Sequence, residues 1–280
     1  MILSSKQIQL YKKNGYIIID NFFDQKELTD FKDAVIKIIH FGLVKASKDH
    51  HIKINPNDLV GKELHEGITA LEQVDHKFIS DIYDTICFTP QFLRITSKDE
   101  ISQCINQLTG HDLDSPTYID QSRCRIDQPL DPYKRKVPWH QEIVYYVPGS
   151  DFVQIWAPLI VDASVVNGTI EICPGSHGEI AKQSYHEGEG DDYRYIVDDD
   201  VIKKYNPISV EMKLGQLLIF NSKLIHRSGN NQSNQVRYSL VGINHNISNE
   251  NFIPPRFIVK NRDEIMNDYY NSLHLSDKDN

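Results

Sequence analysis

His140 and Glu142 stand two residues apart in Val137-Pro138-Trp139-His140-Gln141-Glu142, an imidazole and a carboxylate separated by one residue. On a strand, side chains at i and i+2 leave the same face, so this pair can reach one metal ion without unusual backbone geometry. A third donor has to come from elsewhere in the chain. His226 is the best-placed candidate, where the apolar run ending in Leu224-Ile225 gives way to Arg227-Ser228-Gly229-Asn230. Two histidines and one carboxylate with coordination positions left open form the facial triad of non-haem Fe(II) chemistry. A lone His-x-Glu is weak evidence, because a structural histidine is the common alternative.

Other residues could compete for that role or complete the site. His50, His51, His65 and His76 fall in polar, loop-like sequence with no paired spacing, which reads as solvated surface. His177 follows Pro174-Gly175-Ser176, a turn sequence that leaves the histidine pinning a loop or facing outward. Gln121, Arg123 and Arg125 alternate on one face of a predicted strand. Two arginines on one face need anionic partners if buried, so either one of them meets a bound anion or that face is the outer surface. Tyr146 shares the parity of His140 and Glu142, and is therefore preferred to Tyr145 as a pocket residue.

The elements that must position these groups are legible in outline. Ser4 or Ser5 caps a helix through Lys13, Asn14-Gly15 turns the chain, and Tyr16-Ile17-Ile18-Ile19 reads as a strand. Asp24 with Glu27 is a capping-box start for a helix carrying Leu28, Phe31, Val35, Ile38 and Ile39. Periodicity weakens from His40 to Asp75, then returns over 76–109 with a break at Pro90. From Pro116 the texture becomes short strands, predicted over 117–126, 139–147, 151–161, 168–173, 208–212, 217–221 and 235–245. The expectation is one domain over 1–280: helical support in 1–115, a sandwich or barrel in 116–247, and an extension in 248–280. His186 to Asp200 carries Glu187, Glu189, Asp191, Asp192, Asp198, Asp199 and Asp200 against Arg194, and reads as a long surface loop or lid. Lys134-Arg135-Lys136 either meets an anionic substrate or keeps a loop in water.

Composition excludes several function classes. A chain of 280 residues buries a substantial core without staples, so fold stability does not explain a metal site. A formal charge of −9 argues against nucleic-acid binding, which needs a basic footprint. Cys87, Cys104, Cys124 and Cys173 show no CxxC spacing and read as reduced, buried thiols. With no signal-peptide pattern and no apolar run near the ~20 residues of a membrane span, a cytoplasmic protein with no membrane partner is the default.

Taken together, Trp139-His140-Gln141-Glu142, Gln154-Ile155-Trp156, Asn167-Gly168 with Pro174-Gly175-Ser176-His177, His226-Arg227-Ser228 and Arg237 resemble the phytanoyl-CoA dioxygenase family of Fe(II)/2-oxoglutarate oxygenases. The resemblance covers about residues 8 to 245. It implies a mainly β fold with flanking α-helices, a double-stranded β-helix of the jelly-roll, cupin-like kind. It places Fe(II) on His140, Glu142 and His226, and 2-oxoglutarate on Arg237 and Ser228, with Trp156 lining the pocket and Arg123 a further cosubstrate contact; Arg125 and Tyr146 are expected at the substrate. The implied activity uses O2 to oxidise a C–H bond of a small, polar metabolite, releasing succinate and CO2. Glu142 departs from the aspartate usual in the family, yet its carboxylate argues against halogenation, which needs that position vacated. An inactive cupin-like binding protein and a Zn-dependent hydrolase are the alternatives; the first would lack a ligand or the arginine, and the second gives Arg237 no role.

Overall fold

The computed structural model describes residues 2–49, 52–129, 137–145, 152–187, 193–248 and 252. Ser4 and Gln7 exchange side-chain and backbone hydrogen bonds in a capping box that opens α1 (Ser5–Asn14), and Gly15, at φ +82°, closes it. β1 (Tyr16–Ile19) follows directly. A second capping box, Asp24 with Glu27, starts α2 (Gln25–Ser47), whose Leu28, Phe31, Val35, Ile39, Leu43 and Ala46 are buried along one stripe. α3 (Ile68–Val74), α4 (His76–Cys87), α5 (Pro90–Thr96) and α6 (Asp99–Thr109) complete the helical part. Pro90 opens α5 at its first turn, where a missing N–H costs nothing.

The strands are β2 (Thr117–Asp127), β3 (Phe152–Pro158), β4 (Ile170–Ile172), β5 (Gln183–Glu187) and β6 (Tyr193–Val197). A short α7 (Asp199–Ile202) then leads to β7 (Ile208–Ser209), β8 (Leu217–Asn221), β9 (His226–Ser228) and β10 (Arg237–Asn246). They form a five-stranded sheet in the order β1-β8-β3-β10-β2, a three-stranded sheet β7-β4-β9, and the hairpin β5-β6. The helices cover the outer face of the large sheet through Ile17, Ile155, Ile219, Tyr238 and Leu240. Its inner face, with Trp156, Leu218 and Phe220, packs on Ile170 and Ile172 of the small sheet. β3 is therefore buried at every position, which is why apolar residues occupy both of its faces and Gln154 is its one polar side chain.

Three expectations are corrected. The predicted strand 139–147 is not found over its described residues, 139–145: His140 makes an isolated bridge and Glu142–Tyr145 is a 3-10 turn. The interval from His40 to Asp75 is not simply loop, because α2 runs on to Ser47, a π-turn spans Glu63–Gly67 and α3 follows. The acidic stretch contains the end of β5, β6 and α7; Tyr195, Ile196 and Val197 supply strand-forming side chains that the carboxylate count obscures. Residues 188–192 and the run Lys134-Arg135-Lys136 lie outside the described residues.

Gly168 shows how the small sheet is held. At φ +79°, its backbone lies so close to the chain after β9 that an added Cβ would sit 2.6 Å from Asn230 C and Asn231 N. Both the left-handed conformation and the overlap oppose any side chain. Gly168→Ala is expected to cost about 2 kcal/mol or more, read as a lower thermal midpoint; an unchanged midpoint would show that the turn can relax.

Candidate metal centre and its cavity

Two of the predicted ligands face each other across an isolated antiparallel bridge. His140 and His226 exchange both backbone bonds, N to O at 3.0 and 3.1 Å, an antiparallel pairing that sends both side chains to one face. Their ring centroids lie 4.1 Å apart. Each ring is oriented the same way: His140 Nδ1 is 2.8 Å from Pro138 O, and His226 Nδ1 is 2.9 Å from Leu224 O. A carbonyl can only accept, so Nδ1 carries a proton in each and Nε2 is the ring nitrogen left for a metal. Burial, reinforced by the neighbouring His140 ring, holds His226 well below the ordinary imidazole range, in the neutral form that binds metal.

Glu142 arrives by a different route from the one its spacing suggested. It opens the 3-10 turn and reaches back so that Oε2 lies 3.3 Å from His140 Nε2. The donor atoms of His140, Glu142 and His226 all fall within 4.8 Å of one another. Two imidazoles and a carboxylate around one point fit a divalent cation with positions to spare. The turn also accounts for glutamate at this place, because its added methylene spans the distance from the turn to the imidazoles. Glu142→Asp withdraws the oxygen by about 1.5 Å, one C–C bond. It is expected to weaken Mn(II) binding at least about tenfold, the scale on which mispositioned ligands cost affinity. Native affinity in this variant would refute that account of the turn.

Gln141, between the two ligands, has no role in the motif as read from sequence. It is fully buried, and its amide donates to Glu179 O and Lys223 O while its oxygen accepts from Ala181 N and Gln183 Nε2. Four partners on two segments, 179–183 and Lys223, lock the turn that carries Glu142. Arg227, next to His226, binds Glu171 through Nε and Nη2 and lies 4.6 Å from the centre of the Trp139 ring.

The cavity beside the triad measures about 290 Å³ and is walled by Trp156, Ile170, Phe220 and Val241, with Ser228, Arg125 and Arg237 at its edge. Arg237 is 2% exposed. Its Nη2 binds Asp127 Oδ2 at 2.9 Å, its Nη1 lies 3.4 Å from Ser239 Oγ, and its guanidinium sits 5.5 Å from the centre of the Trp156 ring. Its Nε is buried with no partner among the described residues. Burial lowers the guanidinium from its ordinary value while Asp127 pulls it back up. A buried guanidinium among the residues that line this cavity fits an anionic ligand there.

The remaining predicted site residues divide. Arg125 lines the cavity and binds Asp127 Oδ1 at 2.8 Å. Arg123 does not line it: this exposed side chain meets Tyr83 of α4 instead. Tyr146 lies outside the described residues, and Tyr145 lines the cavity, its ring 6.2 Å from that of His140. The parity that favoured Tyr146 presumed a strand where there is a 3-10 turn. His177 stays away from the triad, with Nε2 3.2 Å from Lys12 O. His65 is no solvated loop residue. Its Nδ1 accepts from Val236 N at 3.0 Å while Leu64 O accepts from the Tyr238 hydroxyl at 2.8 Å, so the π-turn grips β10 on both sides of Arg237. His76 pairs with Glu72 at 2.7 Å; His50 and His51 lie outside the described residues.

The sequence profile of the phytanoyl-CoA dioxygenase (PhyH) family matches residues 11–239, a span that includes the whole triad and Arg237. The chain belongs to this family. Among its relatives is a probable phytanoyl-CoA dioxygenase of Caenorhabditis elegans, 26% identical over 246 residues, covering 85% of this chain and 74% of the relative. The peroxisomal phytanoyl-CoA dioxygenase of Bos taurus is 23% identical over 248 residues, covering 85% and 67%. In fold the family member resembles EctD from S. alaskensis, solved with 2-oxoglutarate and 5-hydroxyectoine, at TM-score 0.59 and 16% identity over 90% of this chain and 79% of that one. It also resembles EvdO2 from Micromonospora carbonacea, solved with 2-oxoglutarate, at TM-score 0.57 and 15% identity over 88% and 92%.

Proposed function

We propose that this chain is an Fe(II)/2-oxoglutarate-dependent dioxygenase that oxidises a C–H bond of a small, polar metabolite. The observation that carries the reading is one cavity lined by both the His140-Glu142-His226 donor cluster and the buried guanidinium of Arg237. When bound, iron and 2-oxoglutarate supply the oxidising power from O2, with succinate and CO2 released. The chain's own residues bind and orient. His140, Glu142 and His226 hold the ion; Arg237 takes the cosubstrate's distal carboxylate, with Ser228 beside it and Trp156 as wall. Ile170, Phe220 and Val241 keep water from the cavity. The two facing sheets make up a double-stranded β-helix under this reading, with the triad at the mouth between them.

Arg125 and Val137 also line a neighbouring cavity walled by His76, Tyr83, Asp84 and Asp127. That space is polar enough to admit a small, hydrogen-bonding substrate, and Arg125, at the junction, is the residue assigned to meet it. A Zn-dependent hydrolase leaves the buried Arg237 without a purpose, and a binding protein without turnover has no need of an intact triad. The test is anaerobic addition of 2-oxoglutarate to the Fe(II)-loaded protein. A weak visible charge-transfer band is expected; its absence with iron still bound overturns the reading.

A further inference from the structure

β3 turns Trp156 and Gln154 to the cavity, two residues apart and so on one face. The strand register fixes where each stands. Trp156 pairs with Val241 and Leu218, whereas Gln154 pairs with Ile243 and Phe220. Arg237 begins β10, before the Ser239–Pro158 pair, so moving from Trp156 to Gln154 moves away from Arg237. It moves toward the ligands, because the Phe220 ring lies 4.9 Å from that of His226.

Gln154 is 2% exposed, and its Nε2 has no hydrogen-bond partner among the described residues. A carboxamide set among Trp156, Phe220 and Ile243 loses its water and gains nothing from the protein. A branched apolar side chain would suit this buried strand better, so what the glutamine adds is an unpaired amide in the cavity wall, where rotation about its last torsion brings the N–H to the cavity. Neighbouring polar groups are already engaged: the Tyr145 hydroxyl with the Tyr195 backbone and Arg227 with Glu171.

We propose that Gln154 is a binding residue for the cosubstrate, its amide N–H donating to the carboxylate that a 2-oxo acid presents at the metal end of the cavity. Arg237 takes the carboxylate at the other end, so the two donors set the length of acid that fits. The inference rests on the Fe(II)/2-oxoglutarate reading.

The test uses the full chain loaded with Mn(II), a redox-inert stand-in, and titrates 2-oxoglutarate calorimetrically. Gln154→Met keeps length and volume without the donor. Its Kd for 2-oxoglutarate is expected to rise about tenfold, the worth of one hydrogen bond to a charged group. Mn(II) affinity should stay within about twofold of native, and the thermal midpoint of the metal-free protein should hold or rise, since an unpaired buried amide is gone. Gln154→Glu, which sets carboxylate against carboxylate, should lose more than the methionine variant. If Gln154→Met does not fold, Gln154→Leu carries the same expectation. An unchanged Kd overturns the proposal, as does a loss of Mn(II) affinity equal to the loss of 2-oxoglutarate affinity. Failure of the native protein itself to bind 2-oxoglutarate would instead overturn the functional reading beneath it.

Discussion

His226→Ala is expected to lower Mn(II) or Fe(II) affinity by about 100- to 1,000-fold and to abolish succinate release. A four-ligand protein zinc site is worth roughly 10–16 kcal/mol, or about 3 kcal/mol per ligand, and each 1.4 kcal/mol is tenfold in binding. The fold should survive. What joins His226 to His140 is a pair of backbone hydrogen bonds, which alanine keeps, and the lost ring borders a cavity that is already open. The void therefore costs less than the ~3–5 kcal/mol of a sealed core truncation. Calorimetric metal titration with circular dichroism on the same samples separates the two effects. His177→Ala is the matched control: its ring meets Lys12 O, far from the triad, and its metal affinity should equal native. Native affinity in His226→Ala would remove His226 from the site.

Local signals carried the helical part and most strands because each is complete within a few residues. The capping boxes at Ser4 and Asp24, the turn glycine at position 15 and the apolar stripe of α2 are such signals, and each is found where it was expected. The candidate metal ligands were legible for a different reason. Donor type is a property of single residues, so His140, Glu142 and His226 could be named without knowing how the chain brings them together. The geometry between them was not legible. An i, i+2 spacing is compatible with a strand, yet the pair is set by a bridge followed by a 3-10 turn, and that turn is held by Gln141 through groups about 40 and 80 residues away.

What the sequence concealed were partnerships that exist only after folding. Asp127 carried no signal of its own, although it binds both Arg125 and Arg237. Arg123 and Arg125 are indistinguishable by alternation, and only their partners in the fold separate them: Asp127 holds Arg125 at the cavity, while Arg123 meets Tyr83 of α4. His65 looked like solvated loop because its partner, Val236 N, is 171 residues distant. The β5–β6 hairpin was masked by its acidic residues, which sit on a pairing decided by the tyrosine and β-branched positions between them.

Arg237→Met should raise the Kd for 2-oxoglutarate about 100-fold while leaving metal affinity within threefold of native. Truncating one side of a buried, hydrogen-bonded charge pair costs about 2–5 kcal/mol, and 100-fold lies within that range. The variant has a folding consequence too, because Asp127 loses the more deeply buried of the two guanidiniums it binds. A stability loss of about 1–3 kcal/mol is expected from a carboxylate left short of a charged donor. Combining Arg237→Met with Asp127→Asn removes the stranded charge and should recover most of the stability without recovering binding, since an amide at that position offers the cosubstrate no cation. Arg237→Lys keeps charge but not the planar fork, so its affinity should fall between the native and methionine forms. If instead the double variant binds 2-oxoglutarate as native protein does, Arg237 serves only to neutralise Asp127, and the cavity's anion must be held by Arg125.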